Sequence, residues 1–332
     1  MYYRYKTRKK DKRYLRYFLY LIIAASTCYI LYHYRNHLMF WKISHNRIVS
    51  EIKSVSGTTD PAMRIEKLRK LKNDLEIYKS ENQLEPESYT FTARVCYALG
   101  ISGKGSYTDI YLKESGINLS PESEKFLTEA IKNIKKAIAL LDGEKVDVGD
   151  IFILARAYSF TGYYSGQDIY ELLKEYTGDN GKLSADNARF FSIICINAGN
   201  VEEGLAVLQS RGEVEKSKKG ELFRAKALMD AKKNTESIIA FQKILKNAED
   251  AEIQKIAYFN LGRIYYSQNL YKESIEQFMA SLALGEDSGS RIWIGKNHYA
   301  MGYKDRAQAV WTEVLNTDSG NEEVKKLLGM IH

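Results

Sequence analysis

Proline is nearly absent from this chain of 332 residues: only Pro61, Pro86 and Pro121 occur, and none follows residue 121. Each comes after a polar or acidic residue, where proline can open a helix because the N–H it lacks has no partner in the first turn. Beyond residue 121 nothing forces a helix to stop. Cysteine is also scarce. Cys28, Cys96 and Cys195 are widely spaced, with no CxxC pair and no zinc-ligand spacing, which excludes a disulfide framework and a zinc ribbon. Low hydrophobicity is missing too. With 45% hydrophobic and 27% charged residues, the chain is not disordered as a whole. The class expected is all-α.

The body of the protein lacks net charge. The formal +7 is carried by residues 1–16, where Arg4, Lys6, Arg8, Lys9, Lys10, Lys12, Arg13 and Arg16 face one acid, Asp11. The other 41 cations are balanced by 41 acids. A nucleic-acid-binding domain carries a basic excess on one face, so nucleic acid is not an expected partner.

Between Arg16 and Arg35 runs YFLYLIIAASTCYILYHY, residues 17–34, without a formally charged side chain. As a helix it spans ~27 Å, close to the hydrocarbon thickness of a bilayer. Tyrosines lie near both ends, where aromatic belts form. The basic tail before it outweighs Arg35, Lys42 and Arg47 after it, so the N-terminus is expected in the cytoplasm and the rest across the membrane. A cleaved signal peptide at Ala24-Ala25-Ser26 is the alternative, but the apolar run continues through Ile30 and Leu31. Lipidation of Cys28 is a second alternative, although the residues before it fit such a signal poorly.

The remaining chain repeats itself. Ile256–Leu284 reads as two amphipathic helices around a polar turn at Ser267–Leu270, and Arg291–Leu315 repeats the arrangement. Gly262 falls beside Gly295, Tyr265 beside His298, Ser274 beside Ala307, Phe278 beside Trp311 and Leu282 beside Leu315. Tyr258, Leu261-Gly262 and Tyr265, followed by Ser274, Phe278 and Ser281, resemble the pattern of the tetratricopeptide repeat, a helix–turn–helix of about 34 residues. Upstream, the same columns hold Ala225, Ser237, Phe241 and Ile244; then Ser192, Gly204 and Leu208; then Ala155 and Tyr158, with a helix near Gln167–Tyr176; then Ala130, Ile134 and Ala137. The proline that closes the family's units is missing throughout.

The resemblance implies a right-handed α-solenoid over 86–320, interrupted by an insertion near 100–121. Residues 321–332 form a capping helix with Val324, Leu327, Leu328 and Ile331 on one face. Residues 35–85 read as a helical hairpin broken at 56–60, or as a coiled stalk, between the anchor and the array.

No motif argues for catalysis, and no cofactor or metal is expected. His33 and His37 are four apart but have no third ligand. His298 fills a packing column. Gly100–Ser106 lacks both the strand and the GK[ST] ending of a phosphate loop.

If the resemblance holds, the first helix of each unit lines a concave groove. Lys226, Arg263 and Lys296 occupy one column, Met229, Tyr266 and Tyr299 a second, and Leu222, Phe259 and Ile292 a third. Together they form a basic, aromatic-edged strip suited to an acidic or C-terminal peptide, set against the plainer reading of a solvated charge row. In relatives that clamp a chaperone tail, Lys and Asn stand where Phe259 and Arg263 stand here, so that ligand is not expected. The insertion is a second candidate contact surface.

The expected protein is therefore a single-pass protein of a bacterial inner membrane with a periplasmic repeat array. It would organise protein partners within a larger envelope assembly, such as a flagellar-motor collar or a secretion or division complex. The alternative is a transient chaperone-like adaptor.

Overall fold

The computed structural model describes residues 43–331 other than 105–106, 114–118, 142–145, 179–182 and 211–216. The basic tail, the predicted membrane helix 17–34, Cys28, His33 and His37 lie outside the described residues. No described helix is long and apolar enough to cross a membrane.

Sixteen helices are described. They are α1 (His45–Ser56), α2 (Pro61–Glu81), α3 (Pro86–Gly100), α4 (Tyr107–Lys113), α5 (Pro121–Leu141), α6 (Val148–Thr161), α7 (Gly166–Thr177) and α8 (Ala185–Asn197). They continue with α9 (Val201–Gln209), α10 (Lys218–Asp230), α11 (Asn234–Asn247), α12 (Ala251–Ser267), α13 (Tyr271–Ala283), α14 (Ser288–Ala300), α15 (Lys304–Thr317) and α16 (Glu322–Gly329). Apart from α4 and α16 they pack as antiparallel pairs, α1/α2, α3/α5, α6/α7, α8/α9, α10/α11, α12/α13 and α14/α15. The predicted hairpin is α1/α2. Rather than standing free as a stalk, α2 lies against α3, and Leu68, Leu71 and Leu75 share a cluster with Val95 and Leu99.

Side-chain caps start most of the helices other than the second helices of the last four pairs. Asp60 before Pro61 accepts from the Met63 amide at 2.9 Å. Ser184, Ser217, Asp250 and Asp287 do the same for α8, α10, α12 and α14, and Asn321 for α16. The second helices α9, α11, α13 and α15 start without a side-chain cap. What precedes them is one backbone turn made four times. A left-handed residue (Gly199, Lys232, Asn269 or Gly302) is followed by an amide that reaches back five residues, as in Leu270 N to Tyr265 O at 2.9 Å. This turn folds each pair back on itself. Lys232 makes it at a φ of 58°, where a β-carbon is strained.

Within each pair the helices cross at small residues. A β-carbon on Gly262 would lie 2.8 Å from the Phe278 ring, and one on Gly295 2.6 Å from Trp311 Cδ1. Across this crossing Ser274 Oγ donates to Gly262 O at 2.8 Å, Ser237 Oγ to Ala225 O at 2.7 Å and Ser192 Oγ to Gly204 O at 2.7 Å. In the last pair Ala307 has no hydroxyl, and Trp311 Nε1 donates to Ile292 O at 3.1 Å. Phe241, Phe278 and Trp311 are buried beneath the crossings.

Gly295→Ala is expected to cost about 2–3 kcal/mol in urea unfolding, because the methyl group would overlap the indole. Gly329→Ala, in open space at the end of α16, is expected to be neutral or to gain up to about 1 kcal/mol. Lys232→Gly is expected to gain about 1 kcal/mol by relieving the left-handed turn. Equal losses for the two glycine variants would contradict the close crossing.

Candidate functional site: the concave face

The first helices of consecutive units touch one another, as α3 touches α6, α8 touches α10, α10 touches α12 and α12 touches α14. Second helices of neighbouring units make no comparable contact. The array therefore curves with its first helices on the inside, and the face they line is concave.

One column on that face is a ladder of cations. It begins upstream of the residues singled out from the sequence. Arg94 of α3 donates through Nε and Nη2 to the two carboxylate oxygens of Asp150 on α6, at 2.7 and 3.0 Å. Burial pushes the Asp150 carboxyl above its ordinary range, and the hydrogen bond from Arg94 opposes that shift. Arg156 of α6 reaches forward to Asp186 and Asn187 on α8, at 2.7 and 2.8 Å, with its guanidinium against the rings of Phe152 and Phe190. Arg263 of α12 lies over Trp293 of α14, 5.7 Å from its ring centre. Lys296 of α14 pairs with Glu323 of α16 at 2.7 Å and lies over the Trp293 ring of its own helix, 4.3 Å from its centre. Each of these cations ties one unit to the next.

Two rungs differ. In α8 the column holds Ile193, which is buried. In α10, Lys226 is 3% exposed, pairs with Asp230 of its own helix at 3.2 Å and sits 4.3 Å from the ring of Tyr111 on α4. The other residues of the predicted strip separate. Leu222 and Ile292 are buried in the core, while Met229, Tyr266 and Tyr299 are half-buried. Tyr266 packs edge-on against Trp293 and Tyr271, and the Tyr299 hydroxyl donates to Met330 O at 3.4 Å. Phe259 is half-buried and lines a depression. The expected open basic strip thus gives way to a row of cations already engaged by acids and aromatic rings.

The depression has a volume of about 390 Å³. Its floor is Leu112, Ile256, Phe259 and Trp293, and Lys255, Glu252 and Glu323 stand at its edge. Asp287 is occupied in capping α14, donating nothing and accepting from Gly289 and Ser290 amides at 3.1 and 3.0 Å. This surface suits an apolar or aromatic anchor more than a naked carboxylate, because Glu252, Asp287 and Glu323 outnumber the lining cation Lys255, whose ammonium already donates to Glu286 O at 3.1 Å.

Trp293 and Tyr111 are the site residues that the sequence reading missed. Trp293 stands two positions before the Gly295 column, where the preceding unit has Asn260, so no column marked it. Tyr111 lies in the insertion, outside every repeat.

Among the described residues, both cysteines are buried and His298 is packed. Burial pushes the thiols of Cys96 and Cys195 up to about 12, where neither is a nucleophile at neutral pH. Burial and the nearby Arg306 hold His298 below the usual histidine value, and its ring packs against Tyr303. Gly100–Lys104 closes helix α3 and follows no strand. Among the described residues no cluster of His, Cys, Asp or Glu could hold a metal ion.

No protein-family model matches the chain, and no curated protein is similar to it in sequence. Among solved structures, it resembles a tetratricopeptide repeat protein from Parabacteroides merdae, with 15% identity over 86% of this chain and 98% of that one and a TM-score of 0.56. More distant are the C-terminal part of a TPR repeat-containing protein from Cytophaga hutchinsonii (15% identity, 85% and 98% covered, TM-score 0.46) and NprR in complex with its cognate peptide NprX (12%, 98% and 84%, 0.43). The fold assignment rests on the first of these: the chain has the tetratricopeptide repeat fold.

Arg94→Met leaves the buried Asp150 carboxylate without its guanidinium and is expected to cost about 2 kcal/mol, discounted because Arg94 is partly exposed. Adding Asp150→Asn should recover at least half of that loss. Chemical unfolding of the two variants checks it, and a loss below about 0.5 kcal/mol for the single change would make the rung an ordinary surface pair.

Proposed function

We propose that the chain is a membrane-anchored scaffold for protein–protein interaction. Residues 17–34 hold it in a bacterial inner membrane, the basic tail stays in the cytoplasm, and the repeat array organises partners of an envelope assembly on the periplasmic side. The observation that carries the binding role is the depression on the concave face, where Ile256, Phe259 and Trp293 lie beside Lys255, Glu252 and Glu323. Anchoring is supported by the uncharged run and the charge bias around it. A fixed anchor raises the local concentration of anything the array holds, so weak contacts suffice.

The placement in an envelope assembly, whether a motor collar or a secretion or division complex, rests on analogy with other membrane-tethered repeat proteins. The second reading, a transient adaptor, is favoured by one feature: α4 already covers part of the concave face, so a partner there must compete for it.

Two measurements test the proposal. Alkaline extraction of membranes is expected to leave the full chain in the pellet and to release a variant lacking residues 17–34. Release of the full chain would overturn the anchor. Cross-linking in native membranes followed by affinity purification is expected to recover a fixed set of envelope proteins with the full chain. Recovery should fall at least fivefold when Phe259→Ala and Lys255→Glu remove the floor and edge of the depression. The same set from both would move the binding surface elsewhere, and no stable set from either would favour the adaptor.

A further inference from the structure

Helix α4 (Tyr107–Lys113) belongs to the insertion, yet it packs on the concave face against α8 and α10. Its polar partners on α10 lie more than a hundred residues away in sequence. Asp109 forms an ion pair with Lys219 at the start of α10. The ring of Tyr111 meets that of Phe223 at 5.0 Å, and its hydroxyl donates to Asp230 at 2.5 Å. The Lys226 ammonium lies 4.3 Å from the same ring. Leu112, 4% exposed, joins the apolar cluster of Ile193, Leu222 and Phe223. This seat lies where the cation ladder is interrupted by Ile193, so the apolar gap left by the missing rung is filled by the leucine and tyrosine of α4.

Seven residues do not hold a helix by themselves in water. The helical form of α4 therefore depends on the surface beneath it, which means that surface has its own affinity for such a segment. The seat recognises an acid, an aromatic residue two positions on, and an aliphatic residue next to it. The open depression begins on the far side of Leu112, so a longer segment can bind there first and extend into the seat.

We propose that the concave face at α8–α10 is a docking seat for a short helix of a protein partner carrying an acid–x–aromatic–aliphatic pattern, and that α4 occupies it as a tethered competitor. The proposal rests on the concave face being the binding surface of the scaffold. A tether of this length keeps α4 at an effective concentration on the order of 1 mM, so a partner must bind more tightly than α4 or carry extra contacts in the depression.

The test uses the purified full chain in detergent and a fluorescent peptide of sequence YTDIYLK, the residues of α4. Tyr111→Ala with Leu112→Asp empties the seat without altering it. The peptide is expected to bind this variant saturably with a Kd of about 0.1 mM or below, and the wild type at least tenfold more weakly, because a tethered competitor at about 1 mM adds roughly that concentration to the apparent Kd. Adding Lys219→Glu, which opposes Asp109, is expected to weaken binding up to about fivefold. Saturable binding to neither protein, or equal binding to both, overturns the proposal. A second variant replaces residues 107–113 with Gly and Ser. If both emptied variants lose more helicity by circular dichroism than the seven residues of α4 account for, α4 is a structural strut and the proposal also fails. The peptide needs no native partner, so a negative result alongside partners recovered from membranes would remove the seat and leave the scaffold.

Discussion

The whole array depends on how closely two helices can approach at one crossing. With Gly262 under Phe278 and Gly295 under Trp311, the backbones meet with no room for another methyl group. A serine hydroxyl or an indole N–H then ties one helix to a carbonyl of the other. That contact fixes the geometry of the pair. The repeated turn through Gly199, Lys232, Asn269 and Gly302 sets the connection, and stacking such pairs brings first helices together on the inside of the curve. A pair of this size cannot bury its apolar faces alone, so each unit is stable only against its neighbours. The α16 helix covers the last one, with Val324 buried against Trp311 and Val314 in a single cluster.

The electrostatics follow from the same stacking. Once first helices lie side by side, a cation in one unit stands next to the start or middle of the following helix. Arg94, Arg156 and Lys296 each find a carboxylate there, and Arg263 finds an indole. A body whose charges sum to zero thus spends several of its cations holding units together, and the excess positive charge is left to the N-terminal tail. Where the column carries Ile193 instead, no such link can form, and a segment from the insertion covers the gap. Structural coupling and the candidate binding surface therefore share the same row of residues.

The parts of this arrangement legible in the sequence were those set by contact within a unit. Gly262, Ser274 and Phe278 recur at fixed spacing because every crossing makes the same steric demand, and the helix ends at Asp60-Pro61 and Asn321 are local chemistry. Contacts between units have no such spacing. Asp150 and Asp186 lie 56 and 30 residues from the arginines they bind, and Glu323 lies 27 residues from Lys296, so spacing within a unit shows none of these pairs, whereas Lys226 and Asp230 are four apart on one helix. Helix α4 is too short to show periodicity, and only its docking against Phe223 and Asp230 gives it a role. Leu222 and Ile292 share a column with Phe259 but are buried in the core, whereas Phe259 is half-buried.

The account places partner contacts on the inside of the curve. The most direct measurement puts a photo-crosslinking side chain at position 259, in the concave depression, or at 279, where Met279 is exposed on the second helix α13, and irradiates intact membranes. Adducts of defined mass from position 259, with none from 279, are the result this account predicts. Adducts from 279 alone would place the partners on the convex side and contradict it.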